Sequence, residues 1–226
     1  MLIGLSPYFT IDSNVITQLT YLIANIESRN SINSLISRGR KSRCSTKRHG
    51  SSERYPTPQE MQQLMSEFQR QITRLPETIK IAPVYEDRRS PLEKQQYESF
   101  IQAWTKIDPT IAPFLGSRQI IEDFLVYPSR IKGRVCIIQP YFVNEIENGV
   151  NLAIGKVEND RILTDAKQII FVKKNYMGVA QVYRGKAIVS LLPPPKALPK
   201  LSTILYSQSK SIQEWLQRAN CSDRLD

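Results

Sequence analysis

At 226 residues the chain is long enough to bury a substantial core, either as one domain with an appendage or as two small domains. Its 41% hydrophobic content and mean hydropathy of −0.34 predict a soluble globular protein. No window approaches the eighteen or so uninterrupted apolar residues of a membrane-spanning helix. The formal charge of +10 is unevenly divided. Residues 27–54 carry eight Lys/Arg against two acids, and residues 130–200 carry twelve against five. Residues 55–129 between them are slightly acidic, with eight against ten.

The first Lys or Arg is Arg29, so the chain begins without the basic stretch that opens a secretory signal. Cys44, Cys136 and Cys221 are odd in number, far apart and free of any C-x-x-C spacing. They read as isolated thiols, and a cytoplasmic location is expected. His49 is the single histidine, which excludes any site needing two.

In chain order, residues 13–30 predict an amphipathic helix. Val15, Leu19, Leu22 and Ile26 form its apolar stripe, with Ile16 and Ile23 widening it. A stripe of this kind faces either a core or a partner helix. Residues 37–56 then lose nearly all apolar character and predict a basic, flexible loop, because they cannot bury enough area to offset the entropy of ordering.

Thr57-Pro58-Gln59-Glu60 is a capping box with proline at the first helical position, and Met61, Leu64, Met65, Phe68 and Ile72 follow on one face before Leu75-Pro76. Ser90-Pro91-Leu92-Glu93 repeats the device ahead of Phe100, Ile101, Trp104 and Ile107, and Asp108-Pro109 ends that helix. Ser117 is expected to cap a short helix carrying Ile120, Ile121, Phe124 and Leu125.

From Arg134 the pattern changes to strands. Residues 134–143 are β-branched and aromatic, with Pro140 demanding an edge or a bulge. Val150, Leu152 and Ile154 alternate with smaller residues, and 167–173, 177–183 and 186–192 supply three more strands. Glu158-Asn159-Asp160-Arg161 and Tyr183-Arg184-Gly185-Lys186 read as tight turns. Five short strands on hairpin connections predict a meander that curls strongly or closes into a small barrel. The prolines after Leu192 must leave the sheet, and Ile212, Trp215, Leu216 and Ala219 mark an inward face of a C-terminal helix.

The expected fold class is therefore α+β. A helical region spans 1–129 with its basic loop at 37–56, a small antiparallel β domain spans 130–195, and a proline-containing connector with a helix spans 196–226.

The chemistry legible in these residues is binding rather than catalysis. There is no phosphate-cradling glycine loop, no dinucleotide fingerprint and no H-E-x-x-H, and no cofactor is implied. The loop residues Arg38, Arg40, Lys41, Arg43, Lys47 and Arg48 concentrate positive charge suited to phosphates. Lys173, Lys174, Arg184 and Lys186, with Tyr176 and Tyr183 among them, form a second basic and aromatic group. Single-stranded nucleic acid is held by such combinations of charge and stacking surface. The leading expectation is a non-enzymatic nucleic-acid-binding protein or accessory subunit of a nucleoprotein complex. The alternatives are an adaptor or assembly factor holding an acidic partner, with the 13–26 helix face as a protein contact, and a metal-dependent nuclease whose carboxylates converge only on folding.

Overall fold

The structure, a computed structural model, describes residues 52–81, 85–120, 122–142, 148–204 and 210–223. The 13–30 helix, the 37–51 part of the basic loop with Arg38, Arg40, Lys41, Arg43, Lys47 and Arg48, and His49 lie outside the described residues. The chain divides into two compact units, 1–46 and 47–226, and every described residue belongs to the second.

Both capping boxes form. In helix α1 (Pro58–Thr73) the Thr57 hydroxyl accepts from the Glu60 amide, and the Glu60 carboxylate accepts from the Thr57 amide. Leu75-Pro76 breaks this helix and at once begins a short second one, α2 (Leu75–Ile81), where the proline sits in the first turn and no amide is required of it. Helix α3 (Pro91–Ile107) is capped by Ser90 and Glu93 in the same reciprocal way, and ends at Asp108.

Eight antiparallel strands follow in sequence order, curled into a half-barrel. They are β1 (Gly116–Gln119), β2 (Asp123–Pro128), β3 (Arg134–Phe142), β4 (Asn148–Glu158), β5 (Arg161–Thr164), β6 (Ile169–Lys173), β7 (Tyr176–Tyr183) and β8 (Lys186–Leu192). Three two-residue turns join β4–β5, β6–β7 and β7–β8. The backbone is left-handed at Asn159 and Asp160, at Lys174 and Asn175, and at Arg184 and Gly185, which matches the twist of the flanking strands. Pro140 pairs with Val150 of β4, while the pairing of β2 with β3 already stops at Ile138, so its missing amide faces no strand.

The short helix expected from Ser117 is not present; β1 and β2 occupy that segment. In β2, Phe124 and Val126 enter one core while Leu125 and Tyr127 enter another. A strand buried on both faces has no alternation to reveal it and reads as a plain apolar run.

Burial on both faces continues across the sheet. One face packs Val126, Ile137, Ile162, Ile170 and Val179 against Trp104 of α3 and the turn at Ile111–Leu115. On the opposite face α1 sets Leu64, Phe68 and Ile72 against Ile169, Phe171 and Leu191. Phe68 meets Phe171 edge to face, with ring centroids 4.8 Å apart. Phe171 in turn lies over Gly178, where a Cβ would come within 2.4 Å of the ring.

Helix α4 (Lys210–Arg218) covers the same opposite face further along, placing Trp215, Leu216 and Ala219 against Leu125, Tyr127, Cys136 and Ile138. There the reading of the cysteines as isolated thiols is corrected. Cys136 and Cys221 are joined in a disulfide across 85 residues of sequence, with Cα atoms 5.9 Å apart. The return of the C-terminal segment to β3 brings the two thiols together, and no local spacing announces it.

After β8, residues 193–195 are buried prolines that carry the chain to the other edge of the sheet. Ser117 of β1 and Lys196 exchange two backbone hydrogen bonds there, of 3.0 and 2.8 Å. Prolines donate no amide, so this crossing is a strap rather than a further rung of sheet. Among the described residues no helix is long and apolar enough to cross a membrane.

Candidate functional site

In a meander, connections alternate between the two ends of the sheet. The β2–β3, β4–β5 and β6–β7 connections therefore share one end, and β1–β2, β5–β6 and β7–β8 share the other. The first end is strongly basic. Arg130, Lys132 and Arg134 lie in or beside its first connection, Lys156 and Arg161 flank the second, and Lys173 and Lys174 form the third. Against these seven cations stand Glu158 and Asp160. The described connections at the opposite end balance, with Glu122, Asp123 and Asp165 against Lys167, Arg184 and Lys186. Since neighbouring strands are roughly 4.8 Å apart, the three basic connections recur about every 10 Å along the rim.

The group expected around β7 is thus divided. Lys173 and Lys174 stand at the basic end with Tyr176, which pairs with Lys173 across the turn. Tyr183, Arg184 and Lys186 lie at the far end of β7, about 23 Å away for an eight-residue strand. At that end the Arg184 guanidinium lies 5.2 Å from the Tyr183 ring and Lys167 lies 5.1 Å from the Tyr55 ring. Tyr176 is half-buried and its hydroxyl donates to the Tyr85 carbonyl at 3.2 Å, so its orientation is fixed from inside the molecule.

The first basic connection is held on three sides. Asp108, at the end of α3 and 3% exposed, accepts from the Gly133 amide at 2.6 Å and from the Thr110 hydroxyl and amide at 2.5 and 3.1 Å. Gly133 takes φ of +73°, a left-handed conformation that glycine adopts without strain, and its carbonyl accepts from Val157 of β4 at 2.8 Å. From the other side the C-terminal segment pairs with the same loop. Arg130 donates its amide to the Asn220 carbonyl at 2.8 Å, Ser222 donates to Pro128 at 3.0 Å, and the Ser129 hydroxyl donates to Ala219 at 2.9 Å. The Cys136–Cys221 bond fixes that segment.

Charge is crowded within this frame. Arg134 and Lys156 are direct partners in the β3–β4 register, and both are exposed. Like charges placed opposite each other in a sheet destabilise it, and the Lys156–Glu158 ion pair at 2.8 Å offsets only one of them. Five of the seven cations (Arg130, Lys132, Arg134, Lys156 and Arg161) were not singled out from sequence as a site. Their signal was available in the spacing of basic turns two strands apart, but it becomes legible only once the strand count is known.

Among the described residues no three of His, Cys, Asp and Glu come together as metal ligands. Comparison of the chain with protein-family models, with curated proteins and with solved structures finds no match.

Proposed function

We propose that the basic end of the half-barrel binds the phosphate backbone of nucleic acid, without chemistry on it. The observation that carries this reading is the placement of seven cations on three successive connections at one end, with a balanced opposite end. Such a rim neutralises phosphates largely without regard to sequence, because it offers charge at regular intervals rather than a shaped pocket for bases. Lys173, Lys174 and Tyr176 belong to the contact; Arg184, Lys186 and Tyr183 do not. The seven bases of the 37–54 segment add to the interaction as a second arm. Such a protein serves as an accessory subunit of a nucleoprotein complex. The Cys136–Cys221 bond supports an oxidising setting for it over the cytoplasmic one expected from isolated thiols.

The test is a salt-titrated binding assay of the full chain with single-stranded RNA, single-stranded DNA and duplex DNA. Neutralising five or so phosphates gives a slope of about −4 to −5 in log affinity against log salt on duplex DNA. The double variant Lys132→Glu, Lys173→Glu should lose at least tenfold in affinity, while Arg184→Glu, Lys186→Glu should bind like the parent. Equal losses from the two pairs, or no binding at low salt, would rule the reading out. Polyglutamate binding as tightly as RNA would favour an acidic protein partner instead. Replacing Arg38, Arg40, Lys41, Arg43, Lys47 and Arg48 by Ser should reduce the slope further if the loop takes part.

A further inference from the structure

A second cationic feature lies inside the molecule, away from the basic rim's turns. Arg118 of β1 is 1% exposed and stands opposite Phe124, on the face of the sheet that packs against α3. Its Nη1 donates to the Phe114 carbonyl at 3.2 Å. Nε and Nη2 are buried without a hydrogen-bond partner. Those two nitrogens form one edge of the guanidinium, the side-on fork whose parallel N–H groups match the two oxygens of a carboxylate.

The neighbours of Arg118 sharpen the point. The Tyr97 hydroxyl donates to the Leu115 carbonyl at 3.2 Å and lies close enough to Arg118 to interact with it. Arg89 is seated 5.6 Å from the Tyr97 ring centroid, with its side chain 8% exposed. Arg89 is fully committed: Nε and Nη2 donate to the two oxygens of Asp87 at 2.7 and 2.8 Å, and Nη1 donates to the Pro195 carbonyl at 2.7 Å. Among the described residues, then, Asp87 cancels Arg89 and no carboxylate acts on Arg118. Burial, reinforced by the charge of Arg89, lowers the Arg118 pKa to about 10, so the group is still cationic at neutral pH. An uncompensated buried charge is expensive, and breaking such a pair by removing one partner typically costs several kcal/mol.

We infer that the Nε–Nη2 fork of Arg118 seats the carboxylate of a small organic monoacid with an apolar body. One unbalanced positive charge calls for one negative charge, and two parallel N–H donors call for two acceptor oxygens in a plane. A phosphate would bring further oxygens that the surrounding Phe114, Leu115 and Phe124 cannot satisfy. Those same side chains suit an aliphatic or aromatic remainder. Entry runs under the proline strap, where Gly116, Pro195 and Tyr97 meet so closely that a Cβ on Gly116 would lie 2.8 Å from Pro195 and 3.1 Å from the Tyr97 ring.

Thermal melting of the full chain in acetate, benzoate, octanoate or phosphate, each against chloride at equal ionic strength and with benzamide as the uncharged control, tests this. Benzoate or octanoate should raise Tm saturably, by about 5 °C or more at a hundredfold excess over Kd. Benzamide should not. Arg118→Lys keeps the charge and removes the fork, and should abolish the shift. Should that variant fail to fold, the Arg118 Nε–H resonance of the parent protein gives an independent reading, because a bound carboxylate must move it. If no carboxylate moves either Tm or that resonance, if phosphate alone does, or if the shift survives in Arg118→Lys, the assignment is wrong.

Discussion

Arg134 and Lys156 face each other across the β3–β4 ladder, two exposed cations held opposite by backbone pairing. Cross-strand like charges cost stability on the scale of about 0.2–1 kcal/mol. Arg134→Thr should therefore leave the fold equally or slightly more stable, by up to about 0.5 kcal/mol, while weakening polyanion binding. Paired denaturant melts and binding curves of the one variant check both. A variant that loses stability and keeps affinity would show the pair to be ordinary surface.

Asp108 governs the loop beside that pair. Its carboxylate accepts from Gly133, and from both donors of Thr110, while 97% of the residue's surface is covered. Asp108→Ala leaves the Gly133 and Thr110 amides without their acceptor and should cost about 2–3 kcal/mol. Amide hydrogen exchange should rise first in residues 129–134, and exchange confined to α3 would contradict the anchoring role.

The disulfide closes a loop of 85 residues onto the same connection. Reduction, or Cys136→Ser with Cys221→Ser, should lower stability by about 2–4 kcal/mol. Nucleic-acid affinity should also fall, because the segment that pairs with Arg130 and Pro128 loses its tether. Melting with and without reductant, followed by the salt titration under both conditions, separates the two effects. An unchanged Tm on full reduction would be incompatible with the bond as described.

Acid should unfold the helical side through three carboxylates. The bidentate hydrogen bond from Arg54, with the Thr57 amide, holds Glu60 at about 2. The Arg89 guanidinium holds Asp87 at about 2, and the Ser90 amide with Lys196 holds Glu93 at about 2. Each folded-state value lies below the ordinary carboxylate range, so the stability these groups contribute is present above about pH 4.5 and is lost as the pH falls towards 2. Circular dichroism melts across that window should show a falling Tm, with Glu60→Gln and Glu93→Gln flattening the dependence. The pairs are largely exposed, so added salt should shrink the effect.

Much of this architecture was legible in short stretches of sequence. Thr57 with Glu60 and Ser90 with Glu93 specify two helix starts because each cap is complete within four residues. Asn159-Asp160 and Arg184-Gly185 specify hairpins because left-handed turns select those residues locally. Residues 13–30 and the basic loop up to 51 lie outside the described residues, so those expectations stand as sequence readings alone.

What the chain by itself determined about the basic character was its amount and its segments: two cationic stretches flanking a slightly acidic helical one. The tertiary structure decided which cations share an end. That depends on the number of strands between two turns, and the count was hidden because β1 and β2, buried on both faces, carry no alternation. Lys173 and Arg184 are eleven positions apart in sequence, yet the strand between them sends them to opposite ends, while Lys132 and Lys173 meet at one. The pairing of Cys136 with Cys221 and the burial of Arg118 have the same origin. Each is set by contacts between segments distant in sequence, which no local propensity encodes.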